Sequence, residues 1–129
     1  EVIVIAVGTM GEEAQLAVEE LRKEGIAAGS ARLRVFRPFP AEQIQALAKK
    51  AKAFVVIDRS VSYGHLGGVA TEIRSALYRG GHTIPVQGVI AGLGGRDVRH
   101  TDIKKFIMMG FDVADKGEAQ PDIFYGLKR

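Results

Sequence analysis

The sequence has no cysteine and no tryptophan among its 129 residues. Without thiols the chain forms no disulfide, ligates no iron–sulfur cluster and offers no cysteine nucleophile. Histidine is sparse: His65, His82 and His100 stand far apart, without the paired spacing that metal sites use, so no metal site is expected in this chain. No apolar run approaches the ~20 residues that cross a bilayer. No signal peptide precedes the first strand, so the expected location is the cytoplasm, away from any membrane. Charge of one sign is also in short supply. The formal net charge is +3, and acidic residues accompany the scattered basic ones. A nucleic-acid surface concentrates Lys and Arg in a stripe interleaved with aromatics, so no nucleic acid is expected as a partner.

Catalytic and cofactor signatures are missing too. A dinucleotide fingerprint needs Gly-x-Gly-x-x-Gly between strand and helix. Gly8-Thr9-Met10-Gly11 has the wrong spacing, and Gly92-Leu93-Gly94-Gly95-Arg96-Asp97 has Asp97 where the last glycine belongs. No Gly-x-x-x-x-Gly-Lys-Ser/Thr phosphate loop occurs. A hydrolase elbow would read Gly-x-Ser-x-Gly. Ser60-Val61-Ser62-Tyr63-Gly64 has serine in the first glycine position, and His65 is too near to be the expected partner. No complete catalytic set remains, and no catalytic residue is assigned.

What is present reads as an ordinary soluble domain, 47% apolar and 26% charged. Val2-Ile3-Val4-Ile5-Ala6-Val7 is a continuous β-branched run, the pattern of a strand buried on both faces. Thr9-Met10-Gly11-Glu12 fits a capping box for a helix carrying Ala14, Ala17, Val18 and Leu21, with Gly25 as its stop. Ala31 to Val35 is expected as a second strand, with Arg32 and Arg34 on one face, which argues for an edge strand or a contact surface. Arg37-Pro38-Phe39-Pro40 breaks the chain and Pro40 suits the first position of a helix bearing Ile44, Leu47, Ala48 and Ala51. Phe54 to Ile57 is a third strand, followed by a Ser/Gly loop and a helix over about Val69 to Tyr78 that Gly80-Gly81 ends. Val86 to Ala91 is a fourth strand, and Thr101-Asp102-Ile103 opens a last helix expected to end near Met109. These elements span residues 1–110. Residues 111–129 are expected as an extended tail with Phe124-Tyr125 packed on the domain or a neighbour.

Strands alternating with helices dictate a mainly parallel sheet covered on both faces and joined by right-handed crossovers. The expected architecture is a three-layer α/β/α fold with strand order 2-1-3-4, wound as in flavodoxin-like sheets. The winding then reverses between the first and third strands, and ligands in such sheets sit over the carboxyl ends of the strands near that point. Gly8-Thr9, Asp58-Arg59 with Gly64 beyond, and Gly94-Gly95-Arg96-Asp97 all belong to those ends. Glycine admits close backbone approach, and an arginine beside an aspartate offers a planar fork of donors next to acceptors. Tight turns and salt-bridged turn anchors account for the same residues. Read alone, this rim has recognition character and no chemistry of its own.

Arg37-Pro38-Phe39-Pro40, then Val56-Ile57-Asp58-Arg59 leading to Gly64 and Gly67-Gly68, then Gly92 to Asp97, resemble in order and spacing the 2-oxoacid:ferredoxin oxidoreductases. The family is best known from pyruvate:ferredoxin oxidoreductase. The matching part, about residues 2 to 110, is the alpha-chain domain similar to the transketolase C-terminal domain. The resemblance implies a non-catalytic assembly domain in an enzyme that decarboxylates pyruvate or another 2-oxoacid to acyl-CoA. The complete enzyme would use thiamine diphosphate, Mg2+, iron–sulfur clusters and coenzyme A, none of them bound by this chain. Its partners would be the other domains or subunits, with ferredoxin served by the whole enzyme. In the family an extra antiparallel edge strand precedes the first parallel one, so a sequence opening at Glu1 is expected to be a domain of a longer polypeptide. The rim residues Gly8, Thr9, Asp58, Arg59, Gly64, Gly94, Gly95, Arg96 and Asp97 become an expected interface. The rival expectations are a stand-alone domain that binds a small anion on the rim, and a chain that turns over substrate by itself.

Overall fold

A computed structural model describes residues 1–7, 10–33, 41–58, 68–90, 99–119 and 123–124. Among the described residues five strands and four helices alternate: β1 (Val2–Val7), α1 (Met10–Lys23), β2 (Ala28–Leu33), α2 (Ala41–Ala48), β3 (Ala53–Asp58), α3 (Gly68–Arg79), β4 (Val86–Ile90), α4 (His100–Lys116) and β5 (Ile123–Phe124). They build one sheet in the order β2-β1-β3-β4-β5, with every pairing parallel. The order 2-1-3-4 and the reversal of winding between β1 and β3 agree with the expectation from sequence, and β5 adds a strand beside β4.

The unbroken apolar runs explain the layers. In β1, Val2, Val4 and Ala6 face the core under α1 and α4, while Ile3 and Ile5 face the core under α2 and α3. In β3, Ala53, Val55 and Ile57 point to the first layer, and Phe54 and Val56 to the second. Side chains alternate faces along a strand, so a strand apolar at every position requires helices on both sides. The helix stop expected at Gly25 also holds. Gly25, at φ 82°, closes α1, its N–H bonding the Arg22 carbonyl at 3.0 Å while the Ile26 N–H bonds Leu21 at 3.0 Å. That pair of bonds satisfies carbonyls the helix leaves open.

Two elements differ from the sequence reading. The second strand starts at Ala28 instead of Ala31 and its described part ends at Leu33, Arg34 and Val35 lying outside the described residues. Ala28-Gly29-Ser30 carries no strand-like pattern, and only pairing with β1, in the register Val2↔Ala28 through Val7↔Leu33, draws it into the sheet. Being at the edge, this strand agrees with the reading of Arg32. The last helix does not end near Met109. It runs to Lys116, so residues 111–116, expected as tail, are helical. Ile103, Phe106, Ile107, Gly110 and Val113 are all buried on one stripe of α4, and Gly117 closes it, its N–H bonding the Val113 carbonyl at 2.9 Å.

Gly110 is the contact at which α4 comes down on the sheet. A Cβ there would stand 2.6 Å from Val55 Cγ2 and 2.7 Å from Val2 Cγ1. Gly110→Ala would gain about 1 kcal/mol of helix propensity. It would lose roughly 1–3 kcal/mol to overpacking, because both methyls belong to buried, stiff β-branched side chains. Net destabilisation of about 1 kcal/mol is expected, read as a lower urea midpoint at unchanged slope.

Candidate functional site at the carboxyl ends of the strands

The pairing registers bring four strand ends to one edge of the sheet. Val7 is opposite Leu33, Ala6 is opposite Ile57, and Asp58 is opposite Ile90. Each crossover returns the chain to the opposite end of the sheet before the next parallel strand begins, so the exits of β1, β3 and β4 face the same way. Of the residues singled out by sequence, Asp58 is the last residue of β3, and its side chain lies outside the described residues. Gly8, Thr9, Arg59, Gly64, Gly94, Gly95, Arg96 and Asp97 lie outside the described residues as well.

Described groups border this edge on the α1/α4 side. Arg32, on β2, lies across the start of α1: a Cβ at Gly11 would meet its Cγ at 2.6 Å and its Cδ at 2.7 Å. Its Nη2 stands 3.8 Å from Glu12 Oε1, and Glu12 is largely exposed, so the pair contributes little to stability. Gly11 thus gives the arginine stem room to cross the first turn of the helix.

A ladder of charged groups joins α1 to α4. Glu13 Oε2 accepts a hydrogen bond from the backbone N–H of His100 at 3.1 Å and lies 3.4 Å from His100 Nδ1. The other ring nitrogen, Nε2, is 3.0 Å from Glu20 Oε2. Lys104 Nζ is 3.4 Å from both Glu20 Oε1 and Glu24 Oε2. Helical spacing explains the alignment. Residues 100 and 104 are one turn apart on α4, residues 13 and 20 recur on one face of α1, and Glu24 directly follows that helix. Next to the ladder, Asp102 Oδ2 accepts the Arg99 N–H at 3.1 Å. Sequence reading named His100 only as an isolated histidine and passed over Glu13, Glu20 and Lys104. Their signal was opposite charge on two amphipathic faces, which carries information only once the sheet order puts α1 beside α4.

The same two helices flank an open groove of ≈ 700 Å³ whose lining mixes Leu21, Ile26, Met108 and Met109 with Glu24 and Lys104 of the ladder. Among the described residues, no group of three or more His, Cys, Asp or Glu side chains is arranged to hold a metal ion. None of the described helices is long and apolar enough to cross a membrane.

Comparison with known proteins places these observations. Residues 1–103 match the family described as pyruvate:ferredoxin oxidoreductase core domain II. The chain is 36% identical over 128 residues to the ketoisovalerate oxidoreductase subunit VorA of Pyrococcus abyssi, covering 98% of this chain and 32% of that protein. It is 35% identical over 130 residues to the pyruvate synthase subunit PorA of Pyrococcus horikoshii, covering 100% of this chain and 33% of that protein. The chain therefore spans about a third of the length of these curated relatives. A solved structure titled "Split gene transketolase, inactive beta4 tetramer" shares the fold, with a TM-score of 0.71 at 23% identity over 88% of this chain and 39% of that one.

The ladder has a titration signature. The hydrogen bond from Lys104 to Glu20 holds the ammonium above its ordinary value of 10.5, against partial desolvation and with Glu24 assisting. A raised value means that the stabilisation is fully present below the unfolded value and is lost as pH rises through the folded one. Titration of the Lys104 Cε resonance is expected to run above 10.5 and to move down in Glu20→Gln. An unchanged midpoint in that variant would show that the ladder does not hold the lysine.

Proposed function

The chain belongs to the family of pyruvate:ferredoxin oxidoreductase core domain II, and we propose that it is a non-catalytic assembly domain of a 2-oxoacid:ferredoxin oxidoreductase. The carrying observation is the match along essentially the whole chain to one third of subunits named for pyruvate synthase and ketoisovalerate oxidoreductase. On this reading the complete cytoplasmic enzyme decarboxylates pyruvate or another 2-oxoacid, transfers the acyl group to coenzyme A and delivers electrons to ferredoxin. Thiamine diphosphate with Mg2+ would supply the decarboxylation chemistry and iron–sulfur clusters the electron path.

The residues of this chain do not fit an iron–sulfur cluster. Cluster ligation requires thiolates, and none of the 129 residues is cysteine. The described residues offer no metal-holding group. On the proposed reading no step of the reaction is assigned to this chain. Its part is to present a surface to the domains or subunits that carry the cofactors.

That surface is proposed to be the rim of Gly8, Thr9, Asp58, Arg59, Gly64, Gly94, Gly95, Arg96 and Asp97. Support comes from the register of the described strands, whose carboxyl ends converge, and from the chemistry of the residues that follow them. Glycines let another backbone approach closely. A side-by-side guanidinium and carboxylate suits a polar, orientation-setting contact better than a hydrophobic one.

In the intact enzyme, Arg96→Ala and Asp97→Ala are each expected to weaken subunit assembly or turnover by about tenfold, the effect of roughly 1.4 kcal/mol at a central contact. Wild-type assembly and turnover in both variants would refute the interface. The competing reading, a stand-alone domain for a small anion, rests on the same rim chemistry. It requires a specific thermal shift with micromolar phosphate, thiamine diphosphate or coenzyme A, since a ligand of the native state raises its melting temperature. No shift is expected.

A further inference from the structure

We propose that Glu13 is a positioning residue for the rim, holding the start of α4 at a set place beside the start of α1. The inference rests on the reading of that rim as a contact surface, and it names the side chain that keeps two of the rim's segments in relation to each other. Residues 8–9 lead directly into α1 at Met10, and residues 91–98 lead through Arg99 into α4 at His100. Glu13 sits in the first turn of α1 and accepts the backbone N–H of the first residue of α4, 87 positions away.

The first N–H groups of a helix have no partners within it, and most helices satisfy them with a neighbouring side chain. Helix α4 does this only in part. Asp102 serves the Arg99 N–H from within the helix, whereas the His100 N–H is served from another helix. A local cap would leave α4 free to shift against α1, but a cap borrowed from α1 ties the two starts together. The same carboxylate also faces His100 Nδ1 at 3.4 Å, so one group holds both the backbone and the ring of that residue. Glu20, facing His100 Nε2 and Lys104 Nζ, continues the tie by one more turn and resists rotation of α4 about its axis.

The test is made on the full-length subunit combined with its partner subunits, with the apparent dissociation constant of assembly and turnover both measured. Glu13→Ala removes the acceptor and is expected to weaken assembly about fivefold, the scale of a lost helix cap. Glu13→Gln keeps an oxygen that accepts the His100 N–H and is expected to restore assembly to within about twofold of wild type. Glu13→Asp, too short to reach but still charged, is expected to fall between them, and it carries the test if the alanine variant does not fold. Arg96→Ala is run alongside. If Arg96→Ala weakens assembly while Glu13→Ala and Glu13→Asp assemble like wild type, the positioning role is wrong and the rim reading stands. Equal losses in the alanine and glutamine variants also overturn it, because then charge and not the cap matters. Wild-type assembly and turnover in Arg96→Ala and also in Asp97→Ala, run with it, overturn the rim reading itself, and the positioning role falls with it.

Discussion

Because β1 is hydrogen-bonded to a parallel neighbour on each side and none of Val2 to Ala6 reaches solvent by more than 4%, it cannot be left uncovered on either face. Helices must lie above and below it, and parallel neighbours must be reached by crossovers that carry those helices. The placement of α1 and α4 on one side and α2 and α3 on the other follows from that requirement. So does the convergence of strand ends, since parallel strands all finish at the same end of the sheet. Gly110 belongs to the same constraint. The closest approach of α4 is onto Val2 of β1 and Val55 of β3, and it is open only to a residue without a side chain.

Packing settles where the helices lie, and polar groups settle how two of them are aligned. The core under α1 and α4 is built largely of valine, alanine and isoleucine, whose contacts have little directional preference along the helix axes. The Glu13–His100–Glu20–Lys104 ladder supplies that direction. Half-exposed pairs of this kind add little to stability one by one, and their weight lies in geometry. They run from the first turn of α1 to just past its last, and Glu24 and Lys104 also line the groove that holds Leu21, Ile26, Met108 and Met109.

Strands β1 and β3 and helix α1 could be read from the sequence because each obeys a local rule: unbroken apolar runs in the first two, helical spacing of Ala14, Ala17, Val18 and Leu21 with a stop at Gly25 in the third. The parallel sheet followed from alternation, and the order of its strands from likeness to flavodoxin-like sheets. Helix α4 was cut short because Gly110, in a sequence, looks like a helix stop, and the sheet contact that makes it an interior residue is not local. Ala28-Gly29-Ser30 has no strand pattern of its own and is recruited by pairing with β1. Strand β5 is two residues long and defined only by its register on Val89 and Ile90. At the candidate site, residue types and their order were legible and tied the chain to its family. The Glu13 cap on His100 was not, because its partners are 87 positions apart and carry no motif.

The cysteine-free composition and the family membership fit a division of labour in which this domain supplies a surface and other parts supply cofactors. The most direct measurement is hydrogen–deuterium exchange on the assembled enzyme and on the dissociated full-length subunit. The account predicts that assembly slows exchange at residues 8–9, 58–60, 64 and 94–97 and leaves the exposed faces of α2 and α3 unchanged. Protection confined to α2 and α3, with the strand ends exchanging equally in both states, would contradict it.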